Sequence, residues 1–259
     1  MKHEVISLKD QTTRPVARDG AGSSFVAAPA PTLPASLFAP RPAPLPSGTA
    51  RRQMAFQRYQ SRAKRGLDLL GCLLLAPLAG GLVGVLWLLV RLDGGPGFFG
   101  HERIGRNGVP FLCWKLRTMC RDAEARLEDH LARNPAAAAE WAESYKLQED
   151  PRVTRLGRIL RKTSLDELPQ LWNVLKGEMS LVGPRPVPAV ELVEYGGYEW
   201  AYLLARPGIT GLWQVSGRNE VSYSTRVGMD LTYVLQAGVR MDLSILWRTI
   251  GEVLRRSGV

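Results

Sequence analysis

The chain has 259 residues, enough for a sizeable core in one large domain or two small ones. Its net charge of +10 and isoelectric point of about 9.9 point to acidic partners: phosphorylated metabolites, anionic lipid or nucleic acid. Cys72, Cys113 and Cys120 form no CxxC pair and His3, His101 and His130 are scattered, which argues against a disulfide framework, a zinc site or a histidine-based metal site.

Residues 1–50 are rich in proline and alanine, with little periodicity, and read as a disordered tail that buries too little apolar surface to offset its ordering. No apolar core follows Lys2, so the start does not read as a signal peptide. A basic flank follows (Arg51, Arg52, Arg58, Arg62, Lys64, Arg65) and leads into an uncharged run from Leu69 to Val90, closed by Arg91. A run of that length meets the usual criterion of ~20 apolar residues for a membrane segment. Cations at both ends leave the orientation open. Locally, Pro77 reads as the kink of a spanning helix; the alternative is a helix broken at Ala76-Pro77 that dips into one leaflet and returns.

Beyond the Gly94–Gly97 breaker, Phe98–Ile104 and Val109–Trp114 read as strands of a hairpin turned by Asn107-Gly108. Lys115 and Arg117 place two cations where the chain leaves the hairpin. Met119 to Lys146 reads as helix, broken at Asn134-Pro135. The central stretch is Arg161 to Gly177. Here Asp166 and Glu167 stand side by side behind Arg155, Arg158, Arg161 and Lys162. Ser164 with Glu167 has the spacing of a capping box, and Gly177 reads as the helix stop. Pro169 disturbs that register and fits better if Asp166 is the cap. Either way the carboxylates are expected at a helix N-terminus, which also suits phosphate. The plain alternative is a capped surface helix in a salt-bridge network. Pro184 and Pro186 hold Arg185 in a rigid loop. Arg206 to Arg218 alternates turn signals with a short apolar strand, and a helix follows from about Val221 to Ala237. The last helix, from Asp242, carries Leu243, Leu246, Trp247, Ile250, Val253 and Leu254 on one stripe, to be buried either in the core or on an anionic membrane face.

A membrane segment, paired carboxylates and arginines in fixed loops suggest phosphoryl transfer at a membrane surface, with cations and carboxylate-held Mg²⁺ neutralising oxygen charge. No GxxxxGK[ST] occurs, so the chain is not a P-loop NTPase.

Lys64-Arg65 with Asp68, Ala76-Pro77, Gly105–Gly108 (GRNG), Lys115–Met119 (KLRTM), Asp150–Arg152 (DPR), Ser164–Gln170 (SLDELPQ), Leu181–Pro186 (LVGPRP), Arg206–Gly211 (RPGITG) and Trp213–Arg218 (WQVSGR) follow one another at family-like spacings. Together they resemble the bacterial sugar transferases, the monotopic polyprenyl-phosphate hexose-1-phosphate transferases that begin exopolysaccharide and glycan assembly. The resemblance runs from about residue 62 to the C-terminus. Larger members carry a multi-helix membrane domain ahead of this region, and none is expected in residues 1–50.

The residues and the resemblance together imply an α+β protein: a tail (1–50) outside the resemblance, a basic flank with a re-entrant membrane helix (51–93) bent at Pro77, and a mostly helical catalytic domain (94–259) with a small β-hairpin and an amphipathic C-terminal helix. The rest follows from the resemblance. It implies that Asp166 is the nucleophile attacking the sugar-linked phosphate of a UDP-sugar, releasing UMP and leaving an aspartyl phosphosugar. Glu167 matches the Mg²⁺ ligand; Lys115, Arg161 and Arg185 match phosphate- or carboxylate-contacting positions; Asp242 matches a further acidic site residue. The implied partners are UDP-sugar, polyprenyl (undecaprenyl) phosphate, inner-membrane lipid and a second copy in a homodimer, with no nucleic acid. The implied location is the cytoplasmic face of the bacterial inner membrane. Direct transfer with Asp166 as a base, and a non-enzymatic basic membrane adaptor, stand as alternatives.

Overall fold

The structure, a computed structural model, describes residues 49–61, 63–144, 147–217 and 221–254. The expected tail lies outside these, apart from its last two residues, as do Arg62, Lys146, Arg218, Arg255 and Arg256.

The chain is α+β, with ten helices and two small sheets among the described residues. Helix α1 (Thr49–Ser61) buries Phe56, whose ring meets Tyr233 edge-on at 6.3 Å. Helix α2 (Ala63–Arg91) is the membrane-segment candidate. Helical structure continues through Ala76-Pro77: every residue from Ala63 to Arg91 is helical, and Pro77 lies inside, where a proline can bend a helix without ending it. A proline forfeits one backbone bond, and the long turns on either side keep theirs. The inward positions of α2 are Lys64, Asp68 and Cys72 near its start and Leu86 and Val90 near its end. Leu69, Leu70, Leu73, Leu74, Leu75, Leu78, Val85, Leu88 and Leu89 are exposed. An apolar helix that leaves most of its surface uncovered is built for a solvent other than water.

Both ends of α2 rest on the same body of protein. At the start, Gly71 packs so closely on Leu181 that an added Cβ would come within 2.4 Å of its side chain. At the end, Leu86 and Val90 share a core cluster with Leu116 and Leu160. Arg117 closes this second junction, donating to the Val90 carbonyl at 3.0 Å and pairing with Asp93.

The expected hairpin forms as strands β1 (Phe98–Ile104) and β2 (Pro110–Leu116), antiparallel, with Phe99 opposite Lys115 and His101 opposite Cys113. Asn107 (φ 60°) and Gly108 (φ 78°) adopt the left-handed turn that favours these residue types. Helices α3 (Ala123–Arg133) and α4 (Pro135–Ser144) break where expected, because the Asn134 side chain accepts from the amides of Ala136 and Ala137 and starts a new helix.

The central stretch folds differently from its expected register. Thr154 caps helix α5 (Arg155–Thr163) by accepting from Gly157 N at 2.8 Å. Ser164 then takes a left-handed conformation (φ 56°) and ends α5, leading into the next turn without a side-chain cap bond. Leu165–Glu167 is a 3₁₀ turn, and helix α6 begins only at Gln170 and ends at Lys176. Neither the Ser164–Glu167 capping box nor an Asp166 cap is present, because α5 runs up to Thr163 and the chain must reverse at Ser164. Pro169 sits just outside α6, where it costs no amide bond. Gly177 (φ 84°) ends α6 as expected.

Strand β3 (Ser180–Val182) pairs in parallel with β4 (Gly208–Thr210), a contact between distant segments that local pattern did not announce. The crossing is tight, and a Cβ on Gly208 would come within 2.1 Å of Gly183 N. Helices α7 (Ala189–Leu192) and α8 (Glu199–Leu204) lie between these strands in sequence; α9 (Tyr223–Gln236) and α10 (Val239–Leu254) follow. Along α10 the inward residues are Asp242 and Ile245, while Leu243, Trp247, Ile250, Val253 and Leu254 are exposed. Leu246 packs against the core, but the rest of the apolar stripe faces outward, so the core-packing alternative does not hold for it.

Candidate active site

The site forms where one hairpin face meets the turn after α5. Side chains alternate along a strand, so Lys115, Cys113 and, across the ladder, Arg103 share one face. That face meets the Leu165–Glu167 turn. Lys115 Nζ stands 2.6 Å from Glu167 Oε1 and 3.8 Å from Asp166 Oδ2. From the other side, Arg185 Nη2 reaches 3.5 Å from Glu167 Oε1. The loop carrying Arg185 is pinned to β4: the Pro184 carbonyl accepts from Gly208 N at 2.8 Å, and Gly183 N donates to the Thr210 carbonyl at 2.9 Å. Arg161, in the last turn of α5, donates from Nε to Thr118 Oγ1 at 2.9 Å and acts electrostatically on Asp166. The structure thus gathers Asp166, Glu167, Lys115, Arg161 and Arg185. It does so with side-chain cations, since α6 is too short and starts too late for its amides to serve the carboxylates.

The neighbouring carboxylates differ in surroundings. Asp166 is 7% exposed, and burial pushes its carboxyl above the ordinary aspartate range; Lys115 and Arg161 pull it down, while Glu167 pushes it up. Glu167 is held by Lys115 and Arg185. Cys113 lines the same cavity, but burial pushes its thiol up to about 11, so it stays protonated near neutral pH and is a poor nucleophile. Asp166 is the buried carboxylate of the group, flanked by cations. Arg103, Lys115, Glu167, Gln170 and Arg185 line the cavity. Arg103 was not singled out from sequence; it shares a face with Cys113 and Lys115 only through the register of the two strands.

Asp242 belongs to a different group. Its Oδ2 accepts from Lys64 Nζ at 2.5 Å and from the Tyr59 hydroxyl at 2.7 Å, and its Oδ1 from the Tyr233 hydroxyl at 2.8 Å. Asp68, one turn along α2, accepts from Ser180 Oγ at 2.8 Å and Leu181 N at 2.9 Å. These buried polar residues tie the base of α2 to β3, α9 and α10. Pro77 stands apart from both groups, in the middle of α2. Among the described residues, no group of three or more His, Cys, Asp or Glu side chains is arranged to hold a metal ion.

Residues 59–256 match the family described as bacterial sugar transferase. Over 202 residues the chain is 53% identical to the UDP-galactose-lipid carrier transferase of Erwinia amylovora, covering 78% of this chain and 42% of that one. Over 195 residues it is 50% identical to the undecaprenyl-phosphate galactose phosphotransferase of Salmonella typhimurium, covering 75% and 41%. Over 197 residues it is 49% identical to the exopolysaccharide production protein ExoY of Sinorhizobium fredii, covering 76% and 87%. The chain therefore spans about two fifths of the first two relatives and most of the third. A match running from Tyr59 to Arg256 means that the chain belongs to the bacterial sugar transferase family.

Proposed function

We propose that the chain transfers a hexose 1-phosphate from a UDP-sugar to a polyprenyl phosphate through a covalent aspartyl intermediate. The observation that carries this reading is the unequal carboxylate pair: Asp166 buried beneath cations, Glu167 beside it in their grip. An oxygen of Asp166 attacks the sugar-linked phosphorus, the bond from that phosphorus to the bridging oxygen breaks, and UMP leaves with the electron pair. The lipid phosphate then attacks the same phosphorus. The bond to Asp166 breaks, restoring the carboxylate and giving the diphosphate-linked sugar. Lys115, Arg161 and Arg185 neutralise oxygens that gain charge along both steps. The relatives' names favour a galactose donor and an undecaprenyl phosphate acceptor.

The donor set fits Mg²⁺, which uses one or two carboxylates and takes its remaining ligands from phosphates and water. Glu167 would hold it beside Asp166, and when bound it would supply positive charge to the diphosphate oxygens. Lys115 and Arg185 hold Glu167 in place and supply part of that charge themselves.

We place the catalytic region on the cytoplasmic face of the inner membrane, with α2 entering one leaflet and returning. The 29 residues of α2 would measure about 44 Å as a straight helix at ~1.5 Å per residue. A straight spanning helix would hold one end beyond a hydrocarbon layer ~30 Å thick. Yet Asp68 bonds to β3 while the Val90 carbonyl accepts from Arg117 just beyond β2. Contacts at both ends favour a bend over a span.

A panel of UDP-sugars given to purified protein in detergent tests the reading. UMP release without lipid acceptor is expected for at least one sugar. Release only when the acceptor is present would favour direct transfer with Asp166 as base; no release under either condition would leave a membrane adaptor.

A further inference from the structure

We infer that Arg103 is a further cation of the donor site, binding phosphate oxygens of the nucleoside diphosphate sugar; this rests on the transfer reading above. The first observation is place. Arg103 lines the same cavity as Lys115, Glu167 and Arg185, on the hairpin face that presents Lys115. The second is charge. Three of these residues are cations and one is a carboxylate, an excess suited to an incoming polyanion.

The third observation is how Arg103 is held. Structural arginines in this protein bind backbone carbonyls: Arg117 those of Pro96, Val90 and Met119, Arg65 those of Val174 and Leu175, Arg206 those of Gly177 and Gln60. Arg103 is half-buried, yet among the described residues it makes no carbonyl bond and no ion pair within 4.0 Å. Its hydrogen-bond partner is His101 Nδ1, 3.0 Å from Nη2. Burial and the charges of Arg103 and Lys115 hold His101 below the ordinary imidazole range, so at neutral pH it can accept from the guanidinium without repelling it. The Glu191 carboxylate and, against it, the Arg185 guanidinium both act on Arg103 electrostatically, but Glu191 is not within ion-pair distance. A guanidinium steadied by a neutral ring keeps donors available for phosphate, whose geometry its planar fork matches.

The test uses the full chain in detergent. Steady-state UMP release gives KM and kcat, and calorimetry gives the Kd for UDP, for wild type, Arg103→Gln and Arg103→Lys. Glu102→Gln, on the opposite hairpin face, is the control. Arg103→Gln is expected to raise KM and the UDP Kd together by at least ~10-fold, with kcat less affected; Arg103→Lys should fall between, and the control should match wild type. If Arg103→Gln folds poorly, Arg103→Lys carries the test. A Kd for UDP unchanged in the folded Arg103 variants overturns the assignment whatever happens to turnover. Wild type that binds UDP but releases UMP from no UDP-sugar overturns the transfer reading instead, and the binding comparison still decides Arg103.

Discussion

Asp166 and Glu167 are adjacent in sequence, but their partners give them different surroundings. Most of those partners stand out in the sequence because their motifs are short and self-contained: Lys115 opens Lys115–Met119, Arg161 lies in the last turn of α5, and prolines frame Arg185. Arg103 does not stand out, since its relation to Lys115 exists only once the ladder register is known. If Arg185 offers a planar fork, lysine keeps its charge and loses its geometry. Arg185→Lys is expected to lose at least ~10-fold in kcat/KM for UMP release, about 1.4 kcal/mol, and wild-type kinetics would reduce Arg185 to a diffuse field. Asp230 gives a separate residue-scale prediction. It is 2% exposed, accepts from the Tyr195 hydroxyl at 2.9 Å, and burial pushes its carboxyl up to about 7. Its folded value lies above its unfolded value, so as pH rises from ~4 to ~7 the unfolded chain gives up this proton first and stability falls. Asp230→Asn, which can still accept from Tyr195, should unfold at a higher temperature than wild type at pH 8, with the gap closing towards pH 5. A gap independent of pH would contradict the buried charge as its cause.

At the scale of elements, the sequence is most readable where a local signal decides the outcome. Asn107-Gly108 makes the hairpin, Asn134 divides α3 from α4, and Gly177 ends α6. It is least readable where one element constrains the next. Ser164 has the spacing of a helix cap, yet it terminates a helix already capped by Thr154. The pairing of β3 with β4 joins three-residue segments too short to carry an alternating pattern. The amphipathicity of α10 is plain, but the direction of its apolar stripe is not; Asp242 and Ile245 take the inward positions. That makes Asp242 an anchor for α2 through Lys64. Removing one member of a buried ion pair leaves the other charge uncompensated, at a cost of ~3–5 kcal/mol. Asp242→Asn should therefore lower the unfolding temperature in detergent markedly, and adding Lys64→Met should recover part of the loss. Unchanged unfolding in the single variant would mean the pair contributes nothing to holding α2.

For the whole molecule, composition and the apolar run point to a basic membrane protein, while the side on which each end of α2 emerges depends on tertiary contacts. Because both ends of α2 rest on one domain, both flanks should face the cytoplasm. Single cysteines at Ser47 and Ser257, with Cys72, Cys113 and Cys120 replaced, should resist an impermeant thiol reagent in intact cells and react after permeabilisation. Labelling of Ser47→Cys alone in intact cells would establish a spanning helix and leave the chemistry untouched. The proposed chemistry rests on a covalent bond to Asp166, which intact-protein mass spectrometry would read directly. Incubated with a UDP-sugar substrate and no lipid acceptor, the wild-type chain should gain the mass of one hexose phosphate, mapped to Asp166, and should lose it when polyprenyl phosphate is added. Asp166→Asn should show no adduct. Turnover to lipid-linked product with no adduct at any time, or with the adduct on another residue, would contradict the account.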